Sequence, residues 1–112
     1  MNIGIDIIEV KRIEKLIKNK RFLNKIFTPQ EIAYCKNKKN FSQHYAVRFA
    51  AKEAVWKAAG EKSLAHRDIS IKNTQNGKPE IIFPKKFLKL QKKISISLSH
   101  TKEFAAAVAV CL

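Results

Sequence analysis

Two carboxylates stand where acids that only face water rarely do. Asp6 lies inside an apolar run, Ile5-Asp6-Ile7-Ile8, where a charge loses its hydration unless something cationic meets it. Glu53 lies within Arg48-Phe49-Ala50-Ala51-Lys52-Glu53-Ala54-Val55-Trp56-Lys57, among small and aromatic residues. Each also has an ordinary explanation. Asp6 could face water on the polar side of a strand or cap the next helix. Glu53 could pair with Lys57, one turn on and about 40° around a helical wheel. The alternative is metal chemistry. Mg²⁺ usually takes one or two protein carboxylates and fills its octahedron with phosphate oxygens and water, so a strand Asp and a helical Glu suit it.

His100, in Ser97-Leu98-Ser99-His100-Thr101, is the third candidate. Hydroxyls and an imidazole at a turn can hold a phosphate or polarise a leaving group, although a lone histidine equally serves structure. His44 and His66 have no comparable setting. Arg48 lies about 140° from Glu53 on the same wheel, so it cannot easily serve the same pocket from the same helix. If both matter, Arg48 serves a neighbouring subunit's pocket. There is no phosphate-binding glycine loop, no Gly-x-Ser-x-Gly elbow and no pair of histidines at helical spacing. Cys35 and Cys111 make neither a metal spacing nor a disulfide framework and read as small buried hydrophobes.

These residues need elements to hold them. Ile3, Ile5 and Ile7 alternate with Gly4 and Asp6, a strand over 2–10. The period then changes: Ile13, Leu16 and Ile17 make the apolar stripe of a helix over 11–20, with Arg12, Lys15 and Lys18 opposite. Thr28-Pro29-Gln30-Glu31 is a capping box with proline at the first helical position. The longest helix is expected over about 42–59, stopped by Gly60. Ile69 and Ile71, the Asn76-Gly77 turn and Glu80 to Phe83 predict a hairpin, and Pro84 starts a short helix through Leu90. Ile94, Ile96 and Leu98 alternate with serines as a half-buried strand, and the Ala-rich stretch Phe104 to Val110 follows as its partner strand. The expected fold is one α+β domain over 1–112, a small antiparallel sheet packed with a long central helix and shorter helices.

Composition narrows the setting. Of 112 residues, 23 are Lys or Arg and 9 are Asp or Glu, a formal charge of +14 that attracts polyanions. Nucleic acid, an anionic membrane surface, an acidic protein and a phosphorylated metabolite all qualify. So does plain coding bias, since 19 Lys accompany 14 Ile and 7 Asn. The charge is nevertheless uneven. Residues 11–40 hold ten basic and two acidic side chains, and residues 85–93 hold five Lys and no acid. The longest apolar run, Phe104 to Leu112, has nine residues, far below the ~20 a spanning helix needs. The amino terminus lacks a signal-peptide layout, so a reducing cytoplasm is expected.

Taken in order, these segments resemble the holo-[acyl-carrier-protein] synthases, bacterial 4′-phosphopantetheinyl transferases. Gly4-Ile5-Asp6-Ile7-Ile8-Glu9 is similar to the family's opening strand, and Phe27-Thr28-Pro29-Gln30-Glu31 to its second-helix entry. The stretch from Arg48 to Ala54, followed by Lys57, is the most specific signature; Asn76-Gly77-Lys78-Pro79 and Ser97 to Thr101 complete the series. The resemblance implies transfer of the phosphopantetheine arm of coenzyme A to a serine of acyl carrier protein, releasing adenosine 3′,5′-bisphosphate, in support of fatty acid biosynthesis. It also implies Mg²⁺ bound by Asp6 and Glu53, and a homotrimer with active sites between subunits. Lys57, His100 and Thr101 are then expected to touch the coenzyme, with Arg48 reaching it across the interface. Acyl carrier proteins are small and acidic, so docking is expected at Arg12, Lys15, Arg21 and Phe22. Asp6, Glu53 and Lys57 form the expected catalytic group. The proton acceptor is open between Glu53, a water held at Asp6, and His100. Many members of the family carry a second Gly-containing turn after the long helix, whereas this chain runs Gly60 to Arg67 with only Lys62 as a candidate phosphate contact.

Two rivals share parts of this pattern. A metal-dependent nuclease also uses an Asp, a Glu and a Lys near a metal, but wants further carboxylates. A nucleic-acid-binding module wants aromatics interleaved with its basic residues, whereas the ten aromatics here scatter along apolar stripes. Neither a nucleic-acid nor a membrane partner is expected.

Overall fold

In the computed structural model, which describes residues 1–112, strand β1 (Asn2–Glu9) pairs antiparallel with β5 (Phe104–Cys111). Strand β5 pairs antiparallel with β4 (Ile94–His100), giving a three-stranded sheet in the order β1-β5-β4. The register opposes Gly4 to Ala109, Asp6 to Ala107 and Ile8 to Ala105, so this face carries small residues wherever a helix must lie close. That helix is α4 (Phe41–Ala59), which turns Ala50, Ala51, Ala54, Val55 and Ala58 into the core. A Cβ on Gly4 would sit 2.0 Å from the Ala54 carbonyl oxygen and 2.9 Å from the Ala58 nitrogen, so only glycine permits the approach. Gly60, at φ 62°, ends α4 in the left-handed conformation expected of it.

The opposite face of β1 carries the isoleucines. Ile3, Ile5 and Ile7 are 63%, 67% and 68% exposed. Asp6 therefore shares the core face with Gly4 and Ile8, and the ordinary reading in which it faces open water does not hold.

The helical segment after β1 divides. Helix α1 (Val10–Leu16) buries Val10 and Ile13, and the chain then breaks where one continuous helix to residue 20 was expected. Asn19 starts a second helix, α2 (Lys20–Ile26), its side chain accepting from the Arg21 and Phe22 backbone N–H groups at 2.9 and 3.2 Å. Helix α3 (Pro29–Cys35) begins with the expected box: the Glu31 N–H donates to Thr28 Oγ1 at 3.2 Å, and the Thr28 N–H donates to Glu31 Oε1 at 2.9 Å. A separate hairpin of β2 (Ser70–Asn73) and β3 (Pro79–Ile82) follows, and a 3₁₀ turn at Lys85–Phe87 leads into the short α5 (Leu88–Gln91). Buried apolar residues from the sheet, α1, α4 and the hairpin form one continuous cluster. No helix is long and apolar enough to cross a membrane.

Candidate active site

Strand β1 and helix α4 bring the two acids together. The Lys57 ammonium lies 3.5 Å from Asp6 Oδ1 and donates to the Ile5 carbonyl at 3.0 Å. Burial pushes the Asp6 carboxyl above its ordinary value of 3.8; the Lys57 charge and hydrogen bond oppose this, the Glu53 charge adds to it, and Arg12 opposes it. Glu53 is thus near enough for its charge to reach Asp6. Lys57 does not form the simple pair with Glu53 that helical spacing allows; it crosses to β1 instead.

Glu53 has a different neighbour. His66 Nε2 lies 3.1 Å from Glu53 Oε1, and the imidazole stacks on Phe49 and Trp56 with ring centroids 6.4 and 6.2 Å away. Nothing in the local sequence marked His66, because the contact is made only when the 66–68 turn folds back over α4. Beneath it, the fully buried Lys52 holds the turn. Its ammonium donates to the His66 carbonyl at 3.1 Å and to the Ile69 carbonyl, and pairs with Glu31 Oε1 at 2.7 Å. Burial pushes the Lys52 ammonium down from its ordinary range, against the pull of Glu31. Glu31 Oε2 in turn accepts from the Ile71 N–H at 2.9 Å, so the capping residue of α3 also anchors the strand after the turn.

A second group forms near the start of α4. His100 Nδ1 lies 3.1 Å from Gln43 Oε1, and the His100 and His44 rings are 6.4 Å apart. Arg48 is buried, donates to the His44 carbonyl at 3.2 Å and to Asn73 Oδ1 at 2.8 Å, and stacks over Tyr34 at 4.5 Å. Its Nε has no partner. Arg48 lines a cavity of about 770 Å³ together with Arg67, Lys72 and Asn73, away from Asp6 as the wheel requires. Thr101 spends its hydroxyl on the β4–β5 turn, accepting from the Glu103 and Phe104 N–H groups at 3.3 and 3.1 Å. Gln43 and Glu53 are ten residues apart, roughly 15 Å along a helix axis. Asp6 and Lys57 are therefore in contact, with Glu53 near enough for its charge to act on Asp6, while His100 stands apart from them along α4.

Residues 2–111 match the family model described as the 4′-phosphopantetheinyl transferase superfamily. A holo-[acyl-carrier-protein] synthase of Chlamydia caviae is 45% identical over 118 residues, covering 99% of this chain and 96% of its own. That of Geobacter sulfurreducens is 41% identical, covering 96% and 93%. The chain belongs to the holo-[acyl-carrier-protein] synthase family. The structure agrees: the Helicobacter pylori synthase, solved in complex with coenzyme A, superposes with a TM-score of 0.84 at 38% identity, over 98% of this chain and 99% of that one. The α+β architecture read from the sequence is that of this transferase family.

The basic residues of the α1–α2 segment lie at the surface. Arg12, Lys15, Lys18 and Arg21 are exposed there, and Arg12 is near enough to Asp6 for its charge to act on the carboxyl. Phe22 follows Arg21 on α2. It is half-buried, with its ring centroid 6.5 Å from Phe27 and 6.1 Å from Phe49, so it chiefly seats α2 on the core.

Proposed function

We propose that this chain, acting as a single domain over 1–112, transfers the 4′-phosphopantetheine group from coenzyme A to a serine of apo acyl carrier protein for fatty acid biosynthesis in the cytoplasm. The observation that carries this is Asp6 in contact with Lys57 and within reach of the Glu53 charge, groups that β1 and α4 bring together from distant segments. The serine oxygen forms a bond to the phosphorus bearing the pantetheine arm. The bond from that phosphorus to the nucleotide breaks, and adenosine 3′,5′-bisphosphate leaves.

Mg²⁺ fits the residues present. Burial and the Glu53 charge both disfavour an ionised Asp6, and a divalent cation shared by the two carboxylates would relieve both penalties. Two carboxylates suit an ion that keeps most of its positions for phosphate and water. When bound, the ion supplies charge neutralisation to the pyrophosphate. Lys57, whose side chain is 48% exposed, can leave Asp6 for a phosphate oxygen. Glu53 is the side-chain candidate to take the serine proton, passed to it through a water, with a water held at Asp6 as its rival. His100, Thr101 and Arg48 serve the coenzyme from the other group, and Arg12, Lys15, Arg21 and Phe22 dock the acidic carrier.

Two features support a homotrimer with sites between subunits. Gln43, the partner of His100, stands roughly 15 Å along α4 from Glu53, a gap that a neighbouring copy would close. The outer sheet face presents Ile3, Ile5 and Ile7 beside Val108 and Val110, an apolar surface of the kind that marks association. The deciding experiment mixes apo carrier protein, coenzyme A, Mg²⁺ and this protein and weighs the product. Gain of one phosphopantetheine is expected. No added mass, with the carrier modified by a known synthase in parallel, overturns the proposal.

A further inference from the structure

His66 is fixed with more care than a surface turn requires. Its ring lies nearly parallel to Phe49 and Trp56, tilted by 20° and 22°, and these two flank Glu53 on one face of α4 at positions i−4 and i+3. Its carbonyl is held by Lys52, and its turn is closed by the Ala65 N–H donating to Asp68 Oδ2 at 3.0 Å. Its Nε2 is shut off from water without an aligned hydrogen-bond partner, and Glu53 Oε1 is 3.1 Å away. At that separation an N–H directed toward the oxygen attracts it, whereas a lone pair directed at a carboxylate repels it. An N–H on Nε2 therefore suits this contact, and a small rotation of either group completes the bond.

We propose that His66 is a positioning residue for Glu53: its Nε2–H occupies Oε1, fixes the carboxylate torsion and leaves Oε2 directed to the cation shared with Asp6. This rests on the metal-binding role proposed above for Asp6 and Glu53. Groups that orient metal-binding carboxylates in this way typically change metal affinity by about 10–100-fold when removed. The aromatic stack restricts the imidazole to one plane, so the orientation is built into α4 and does not depend on ligand.

The test is Mn²⁺ binding to the whole protein in the presence of coenzyme A, followed by the EPR signal of free Mn²⁺. Trp56, the only tryptophan and a stacking partner of His66, gives a second signal in fluorescence. His66→Phe keeps a flat ring in the stack and removes the donor; His66→Gln returns an N–H. His66→Phe is expected to bind Mn²⁺ about ten-fold or more weakly, with His66→Gln recovering part of the loss. Turnover should show a raised Mg²⁺ requirement in His66→Phe, with kcat at saturating Mg²⁺ largely kept. Thermal melting of both variants separates this from unfolding, and if His66→Phe does not fold, His66→Gln must bind Mn²⁺ within about three-fold of wild type. Asp6→Asn supplies the reference. If it abolishes Mn²⁺ binding while His66→Phe binds as tightly as wild type, the positioning role is wrong and the metal site stands. If wild type itself binds no Mn²⁺, both are wrong.

Discussion

Asp6 holds a charge that the fold resists, and this sets activity against stability at one residue. A carboxyl whose folded pKa lies above its unfolded one contributes stability below the unfolded value, and that contribution is lost as pH rises through the folded one. At neutral pH the ionised Asp6 is therefore a net burden on the free protein, even with Lys57 beside it. Asp6→Asn is expected to melt higher than wild type at pH 7, with the difference vanishing below the ordinary value of 3.8. Its transfer rate should fall by about 10²–10³-fold, the scale of losing one partner to developing charge. Melting curves across pH and single-turnover mass spectrometry check the two halves, and a variant that melts lower at pH 7 would remove the argument. Asp6 was recognisable in the sequence because burying a charge among isoleucines needs a reason. His66 was not, because its partner is 13 residues away across a turn whose path no local pattern dictates.

At the scale of elements, the site depends on how closely α4 lies on β1. Gly4 sets that distance: a methyl there meets backbone atoms of Ala54 and Ala58, which cannot swing aside as a side chain would. Gly4→Ala is expected to destabilise by about 1–3 kcal/mol, as overpacking does, and to weaken Mg²⁺-dependent transfer by moving Asp6 from Glu53. Urea unfolding and turnover measured on the same preparation test the link; lost stability with unchanged turnover would show that the spacing is not needed. Most elements were legible because each carries its own punctuation: the Thr28 capping box, Gly60, the Asn76-Gly77 turn. The orientation of β1 was harder to read. Alternation shows that two faces exist, but Ile3, Ile5 and Ile7 would ordinarily be placed inside, and the close approach of α4 at Gly4 decides otherwise, putting Gly4, Asp6 and Ile8 on the core face. Helix α2 was overlooked because its apolar residues continue the rhythm of α1, and only the Asn19 cap separates them.

For the whole molecule, charge and association make separate predictions. The basic face of α1 and α2 should speed encounter with an acidic carrier, an effect that salt screens. Lys15→Glu with Arg21→Glu is expected to raise the carrier KM by about ten-fold, leave the coenzyme A KM unchanged and flatten the salt dependence. Arg12 is a poorer choice because its charge also acts on Asp6. Steady-state assays varying each substrate separate these outcomes, and an unchanged carrier KM would move docking elsewhere.

If the group at His100 completes the Asp6 and Glu53 group of a neighbouring copy, then two inactive variants should repair each other. Asp6→Asn spoils one half-site and leaves the other; His100→Ala does the reverse, at an exposed residue whose hydrogen-bond partner is Gln43. In a closed ring of identical contacts, co-refolding equal amounts places both intact halves at roughly a quarter of the interfaces. Transfer should rise from the background of either variant toward that fraction of wild type. Adding Ile5→Lys to both variants puts charge on the apolar sheet face, where Ile5 is 67% exposed, and should abolish the rescue while the isolated chain stays folded. Mixing without any gain, in material that light scattering shows to be associated, would place the complete site within one chain. The distance between the two groups along α4 would then have to be closed by the coenzyme alone.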